Sequence, residues 1–354
     1  MKYVRLGKTD LQVSKISCGA IKLPSLSQEE TNKVIHIAID GGMNYFDTAN
    51  CYGDSEIKLG KALEGGKREK VIVSSKTLNR TLAGYTHDFE QTLSYLKTDY
   101  IDIQFVHNVS SEEDWIKVNE NGIIDYLIKL KKEGKIRYIA CSTHDVAIGD
   151  KMIASGIFEV AMLAYNPSNL EVVPTTFPLC KKLDVGTVVM KPFAGGILTT
   201  EKSKQLGFEI SAEESLRFAA SHPDVDVVIP GLASISEVET ALKVGNSDIS
   251  MSDEEQKALI EKITIKGKNY CRGCGYCKPC PKNIDIPTVL QLYNRWEIFS
   301  NVDWAQMHMI SQEFNEKIDK EEVPSRCIAC GACVPRCPFN LQIPELMKSA
   351  ASAF

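Results

Sequence analysis

Residues 71–107 read VIVSSKTLNRTLAGYTHDFEQTLSYLKTDYIDIQFVH. Two β-branched runs, at 70–75 and 100–106, flank THDFEQTLSYLK, whose apolar residues recur at three- and four-residue spacing. A strand, an amphipathic helix and a second strand in that order form one βα repeat of a parallel sheet. The pattern extends in both directions. Strands are predicted near 15–19, 43–46, 70–75, 100–106, 136–141, 158–163, 186–190 and 226–229, with helical stretches such as QEETNKVIHIAI, SEIKLGKALEG, IIDYLIKLKKEG and ISEVETALKVG between them. Gly41, Gly65 and Gly134 close three of those helices, as a position just past a helix end prefers. Eight βα units predict an α/β fold of the (β/α)8 TIM-barrel type. A doubly wound sheet would carry G-x-G-x-x-G after its first strand, and none follows here. Residues 3–14 read as a hairpin turning at Gly7 to Asp10 and plugging the barrel's N-terminal end, and SDEEQKALIEKI as a further helix with Ser252 as N-cap.

The chain has 354 residues, 44% of them hydrophobic and 25% charged, which excludes collagen-like, disordered and coiled-coil classes. Lysine plus arginine (41) against aspartate plus glutamate (46) leaves −5, with the signs mixed along the chain, so nucleic acid is not an expected partner. The opening MKYVRLGKTD lacks an apolar signal core, and no apolar run is long enough to span a bilayer. These features point to the cytoplasm and to no membrane. Of twelve cysteines, eight fall between Cys271 and Cys337, a step in composition that divides the chain into residues 1–265 and 266–354. In a reducing compartment such a cluster reads as metal ligation and not as a disulfide framework.

In a barrel of this kind chemistry sits at the C-terminal ends of the strands. The second barrel strand ends in Asp47, the third in Lys76 and the fourth in His107, while Tyr52 lies in the loop after the second. A phenol is a poor proton donor near neutral pH unless a neighbouring cation stabilises its anion. Lys76 can do that, Asp47 can hold Lys76 charged, and His107 can orient a carbonyl oxygen beside the Tyr52 hydroxyl. The four together suit protonation of an oxygen as hydride reaches the adjacent carbon. The segment 109–121 after the fourth strand reads as a loop that brings Trp115 near the substrate.

The run Asp47-Thr48-Ala49-Asn50-Cys51-Tyr52-Gly53 resembles the signature D-T-A-x-x-Y-G of the aldo-keto reductase superfamily, and the resemblance extends from RLGKTDLQVSKISCGAIKL to about residue 263. It implies catalytic roles for Asp47, Tyr52, Lys76 and His107, hydride transfer between NAD(H) or NADP(H) and an aldehyde, ketone or alcohol, and no metal at that site. It also implies a nicotinamide contact at Ser142, with Thr143 and Met162 standing where the family commonly has Asn and Gln. A pyrophosphate-wrapping loop is implied over KPFAGGIL, including Lys191, Pro192, Phe193 and Gly195. Gly231 and Glu237 occupy positions that often carry cations for a 2′-phosphate, an argument for NAD(H).

Cys327, Cys330, Cys333 and Cys337 with Pro338 follow C-x2-C-x2-C-x3-C-P, the run that holds 4Fe-4S clusters in bacterial ferredoxins. Cys271, Cys274, Cys277 and Cys280 form a second run, one residue shorter before its last cysteine. In two-cluster ferredoxins the fourth cysteine of each run serves the other cluster, so the shortening is no obstacle. Zinc is the rival ligand, though four-cysteine zinc sites favour two separated pairs. Helical periodicity in TVLQLYNRWEIF and DWAQMHMISQEFNEKI, with Trp296 and Trp304 packed inside, suggests a mostly helical ferredoxin-like module. The whole chain thus resembles the ferredoxin-fused branch of that superfamily, with two 4Fe-4S clusters and an external one-electron carrier as expected partner. The alternative is an electron-transfer protein whose barrel is a docking scaffold. Cys18, Cys51, Cys141 and Cys180 read as small buried hydrophobes.

Overall fold

The computed structural model describes residues 1–199, 210–266, 271, 277–299, 318, 323–337 and 341–354. The chain divides into two units, one comprising Met1–Thr199 with Ile210–Ile260 and the other including Glu261–Phe354.

The first unit opens with the hairpin. Strands β1 (Tyr3–Arg5) and β2 (Gln12–Ser14) pair antiparallel with Tyr3 opposite Ser14. Leu6, Leu11 and Val13 are at most 3% exposed and pack with Tyr45, Ile72 and Ile103 in the barrel interior. Gly7 has φ +48°, and a Cβ there would stand 2.1 Å from the Gly186 nitrogen, so the plug seats only without a side chain at its turn.

Eight parallel strands follow: β3 (Cys18–Gly19), β4 (Tyr45–Asp47), β5 (Ile72–Thr77), β6 (Ile101–Val106), β7 (Ile136–Ser142), β8 (Val160–Ala164), β9 (Gly186–Met190) and β10 (Val227–Val228), neighbours in chain order. The sheet closes on itself where the Ser17 N–H donates to the Val228 carbonyl at 2.9 Å and the Gly19 N–H to the Pro230 carbonyl at 2.8 Å. A Cβ on Gly19 would meet that Pro230 oxygen at 3.1 Å, so glycine permits the close seam. Every predicted strand is present, and the barrel class holds.

Helices cover the outside where the periodicity places them. The helix Gln28–Asp40 opens with a capping box between Ser27 and Glu30. It ends on Gly41 at φ −77°, and the left-handed residue is its neighbour Gly42 at φ +98°. The segment 109–121 differs from expectation. It holds a helix, Glu112–Glu120, capped by Ser111 with three acids in its first turn, a charge arrangement that suits the helix dipole. Its Trp115 is 8% exposed and packs against Phe158 at 6.1 Å between ring centroids, so it belongs to the packing of the barrel's shell. Beyond the barrel, Asp253–Lys266 is helical, with Ser252 and Glu255 exchanging hydrogen bonds at its start.

The second unit has helices Ile286–Phe299 and Ile343–Ala353 around a core in which Val289, Leu290, Met347 and Ala350 are fully buried. Trp296 flanks that core, its ring 6.4 Å from Tyr293. Trp304 lies outside the described residues. Among the described residues no helix is long and apolar enough to cross a membrane.

Candidate active site

Strand register assembles the barrel site. Asp47 on β4 lies opposite Ser74 on β5, and the alternation of a strand sends Ser74 and Lys76 to the same face. Lys76 Nζ donates to Asp47 Oδ2 at 2.6 Å and to the Thr48 carbonyl at 2.7 Å. Lys76 is 1% and Asp47 3% exposed. Ser74 Oγ donates to Asp47 Oδ1 at 2.7 Å and itself accepts from the Tyr45 hydroxyl at 2.8 Å. Both oxygens of Asp47 are therefore acceptors, the pattern of an ionised carboxylate beside an ammonium. Burial lowers the Lys76 pKa, but Asp47, with Tyr52 and Cys51, more than offsets it and leaves Lys76 above its ordinary value. Burial raises Asp47, against the pull of Lys76 and Ser74.

Tyr52 comes from the loop after β4, and Lys76 Nζ stands 5.0 Å from its ring centroid. The His107 ring lies 5.9 Å from that of Tyr52, edge to face. Burial raises the Tyr52 phenol above its ordinary pKa, Lys76 pulls it down, and Asp47 and Cys51 push it up. The expected depression by Lys76 is present but outweighed by burial. Burial, then the charges of Lys76 and Arg80, hold His107 well below the usual imidazole range, so its ring is neutral at pH 7. The structure thus brings together the three residues singled out at the strand ends and Tyr52 from the loop.

Three supporting residues escaped the sequence reading. Tyr45 and Ser74 fix Asp47 from behind. Arg80, in the loop after β5, donates to the carbonyls of His107 at 2.7 Å and Asn108 at 3.1 Å and pins the end of β6. The signal for Ser74 was its place two residues before Lys76. Cys51 also departs from expectation. Cys18, Cys141 and Cys180 are buried, but Cys51 is exposed, with Sγ 3.6 Å from His107 Nδ1.

The residues suggested for the nicotinamide cofactor lie at neighbouring strand ends. Ser142 ends β7 and is 2% exposed; its Oγ accepts the Asn108 N–H at 2.8 Å, which leaves the hydroxyl proton free to donate to an amide oxygen. Thr143 instead closes a local turn with Asp145, and Met162 sits in the apolar barrel core. After β9, Lys191, Ala194, Gly195 and Gly196 all have positive φ, and the Pro192 carbonyl accepts from Ser215, so successive left-handed residues shape a tight loop. Phe193 lies within it, its carbonyl accepting the N–H groups of Gly196 and Leu198. Gly231 bridges Gly19 at the barrel seam. Glu237 accepts the Ala233 N–H at 2.6 Å at a helix N-terminus and pairs with Lys22 at 3.0 Å. A buried hydroxyl donor and a glycine-bearing loop fit an amide and a pyrophosphate.

In the second unit Cys280, Cys327, Cys330 and Cys333 line one pocket. Burial raises the Cys333 thiol, and Cys327, Cys330 and Cys280 add to the rise, as closely placed thiols do. The fourth cysteine of the first run thus meets the first three of the second run. Cys271, Cys277 and Cys337 share one buried core, and Cys274 lies outside the described residues. Four cysteines lining one pocket are the residue type that holds a 4Fe-4S cluster, although among the described residues no three such side chains are already drawn together as a metal site.

The family model described as the aldo/keto reductase family matches residues 15–214, and that of a 4Fe-4S dicluster domain matches residues 270–341. The uncharacterized oxidoreductase YqkF of Bacillus subtilis is 27% identical over 305 residues, 73% of this chain and 95% of that protein. A probable aldo-keto reductase of Glycine max is 27% identical over 345 residues, 80% of this chain and 98% of that protein. Among solved structures, the holo form of an aldo-keto reductase from Bacillus halodurans superposes with a TM-score of 0.64 at 25% identity, covering 74% of this chain and 96% of that one.

Proposed function

The chain belongs to the aldo/keto reductase family and carries a 4Fe-4S dicluster domain, and on that premise we propose that it reduces an aldehyde or ketone with a nicotinamide cofactor, Tyr52 giving the proton. The observation that carries this reading is the buried Lys76 ammonium, 2.6 Å from the Asp47 carboxylate and 5.0 Å from the Tyr52 ring. When bound, the reduced nicotinamide supplies a hydride and a 4Fe-4S cluster takes or gives one electron.

The chain's own residues handle the oxygen. As negative charge develops there, the Tyr52 hydroxyl donates its proton, and the product is the alcohol. Raised above an ordinary phenol, Tyr52 keeps its proton across the neutral range, yet it remains far more acidic than the alcohol it forms. Lys76 stabilises the phenolate left behind, and solvent returns the proton. Asp47 keeps Lys76 charged in its buried position, where an unpaired ammonium would deprotonate. Neutral His107 offers an N–H to the same oxygen. Ser142, Lys191, Pro192, Phe193 and Gly195 would hold the cofactor. Glu237 makes NAD(H) at least as good as NADP(H), because its carboxylate would face a 2′-phosphate.

Residues 266–354 form the electron-transfer module. Cys280, Cys327, Cys330 and Cys333 would hold one cluster, and Cys271, Cys274, Cys277 and Cys337 the other. An external one-electron carrier is the partner such clusters serve, and the reducing cytoplasm is the compartment that keeps the thiols available.

Anaerobic oxidation of NADH and NADPH with short aldehydes tests the reaction. Tyr52→Phe should lower kcat at least ~10²-fold with cofactor Kd unchanged, the amount general-acid catalysis contributes. Near-normal turnover in that variant would remove Tyr52 as the acid. The loaded protein should contain about eight iron and eight sulfide per chain. Two zinc ions and no sulfide would decide for zinc.

A further inference from the structure

We propose that Cys51 is a positioning residue for His107, its S–H donating to Nδ1 and thereby fixing the imidazole as the tautomer whose Nε2–H faces the substrate oxygen. The proposal rests on the reading of His107 as a donor to that oxygen.

The contact is direct, with Sγ 3.6 Å from Nδ1, inside the range of hydrogen bonds to sulfur. Both partners are held. On one side of Cys51 the Asn50 N–H donates to the Lys76 carbonyl at 2.9 Å and the Asn50 side chain to Gln91 at 3.0 Å; on the other the Tyr52 N–H donates to the Ala49 carbonyl at 3.0 Å. The His107 N–H donates to the Thr77 carbonyl at 3.2 Å, and Arg80 grips the His107 carbonyl at 2.7 Å. With the backbone pinned on each side, what remains open is the ring's rotation and which nitrogen carries its proton.

A neutral imidazole has one donor and one acceptor, and the partner of one nitrogen decides the role of the other. Burial, then the charges of Lys76 and Arg80, keeps His107 from taking a second proton. Partial burial of the sulfur raises the Cys51 thiol above its ordinary pKa, Lys76 and a backbone hydrogen bond pull it down in part, and Glu56 and Asp88 add to the rise, so the sulfur carries a proton near neutrality. A protonated thiol can act as a weak donor or a weak acceptor, so it is the oxygen facing the other ring nitrogen that assigns the proton of this contact to sulfur and the lone pair to Nδ1. The reverse arrangement would aim the Nε2 lone pair at an oxygen gaining negative charge, a repulsive contact.

Nitrogen-15 NMR of the full-length, cluster-loaded chain labelled at histidine, with His107→Gln to assign the signals, reads the tautomer without reference to activity. The wild type should show an unprotonated Nδ1 and a protonated Nε2. Cys51→Ala should move both signals toward a mixture of tautomers and lower kcat about three- to tenfold, the scale of one weak hydrogen bond, with cofactor Kd unchanged. Cys51→Ser, which keeps an O–H donor, should restore the tautomer and bring kcat to within about twofold of wild type. A protonated Nδ1 in the wild type, or a Cys51→Ala variant with tautomer and kcat unchanged, would overturn the proposal. The expected tautomer in a protein that reduces no carbonyl would uphold the Cys51–His107 contact and sink the carbonyl-reductase reading instead.

Discussion

At the barrel mouth the reactive groups are unlike one another and satisfy one another, Lys76 bonding Asp47 at 2.6 Å and Ser74 completing the carboxylate. In the second unit the reactive groups are alike: Cys280, Cys327 and Cys330 each make it harder for Cys333 to ionise. The difference lies in where the compensating charge comes from. The fold itself neutralises the barrel site, so its geometry stands without a ligand. Four thiolates repel, and only the positive charge of bound iron offsets them, so the second site should couple its folding to its loading.

The largest test of this contrast is Lys76→Met. It removes the cation that stabilises the phenolate and leaves Asp47 buried without its partner. Turnover should fall ~10²-fold or more, and stability by about 3–5 kcal/mol, the usual effect of breaking a buried pair. Adding Asp47→Asn should restore most of the urea midpoint but none of the turnover. If the single variant unfolds at the wild-type midpoint, the pair is not the internal neutralisation described above.

A smaller effect is expected at the rim. Glu237→Gln keeps an acceptor for the Ala233 N–H but removes the charge and releases Lys22. Affinity for NADPH relative to NADH should rise about fivefold, as removal of one exposed like charge allows. Unchanged dissociation constants by fluorescence titration would show that Glu237 acts only as a helix cap. The smallest change tests the crossing of the two cysteine runs. Cys280→Ala should about halve the iron, and the cluster lost should be the one that Cys327, Cys330 and Cys333 share. Carbonyl reduction should stay within about twofold, because the barrel site needs no iron to hold its shape. Loss of all reduction in the folded variant would break the contrast.

The two regions were also legible to different degrees. Metal ligands closely spaced in sequence are visible in sequence, and the runs at 271–280 and 327–337 were read from spacing alone. The barrel site draws on positions 47, 52, 76 and 107, and the rule that strand ends converge, with the resemblance of residues 47–53 to a family signature, joined them. The helix Glu112–Glu120 was written in Ser-Glu-Glu-Asp before Trp115, a capping signal passed over because the segment also reads as polar loop. Cys51 was assigned by residue type, and residue type was a poor guide beside an active-site mouth.

By itself, the sequence determined the eight βα repeats, the plugging hairpin, the polar strand ends and the two cysteine runs, because each is a local pattern set by periodicity, capping or ligand spacing. Tertiary structure alone decided how the barrel closes at Gly19 and Gly231, that Tyr45 and Ser74 stand behind Asp47, and that Cys51 reaches Nδ1 of His107. The physical reason is one of range. Backbone preferences act over a few residues, whereas hydrogen bonds and ion pairs act over a few ångströms between residues that only strand register and chain crossing bring together.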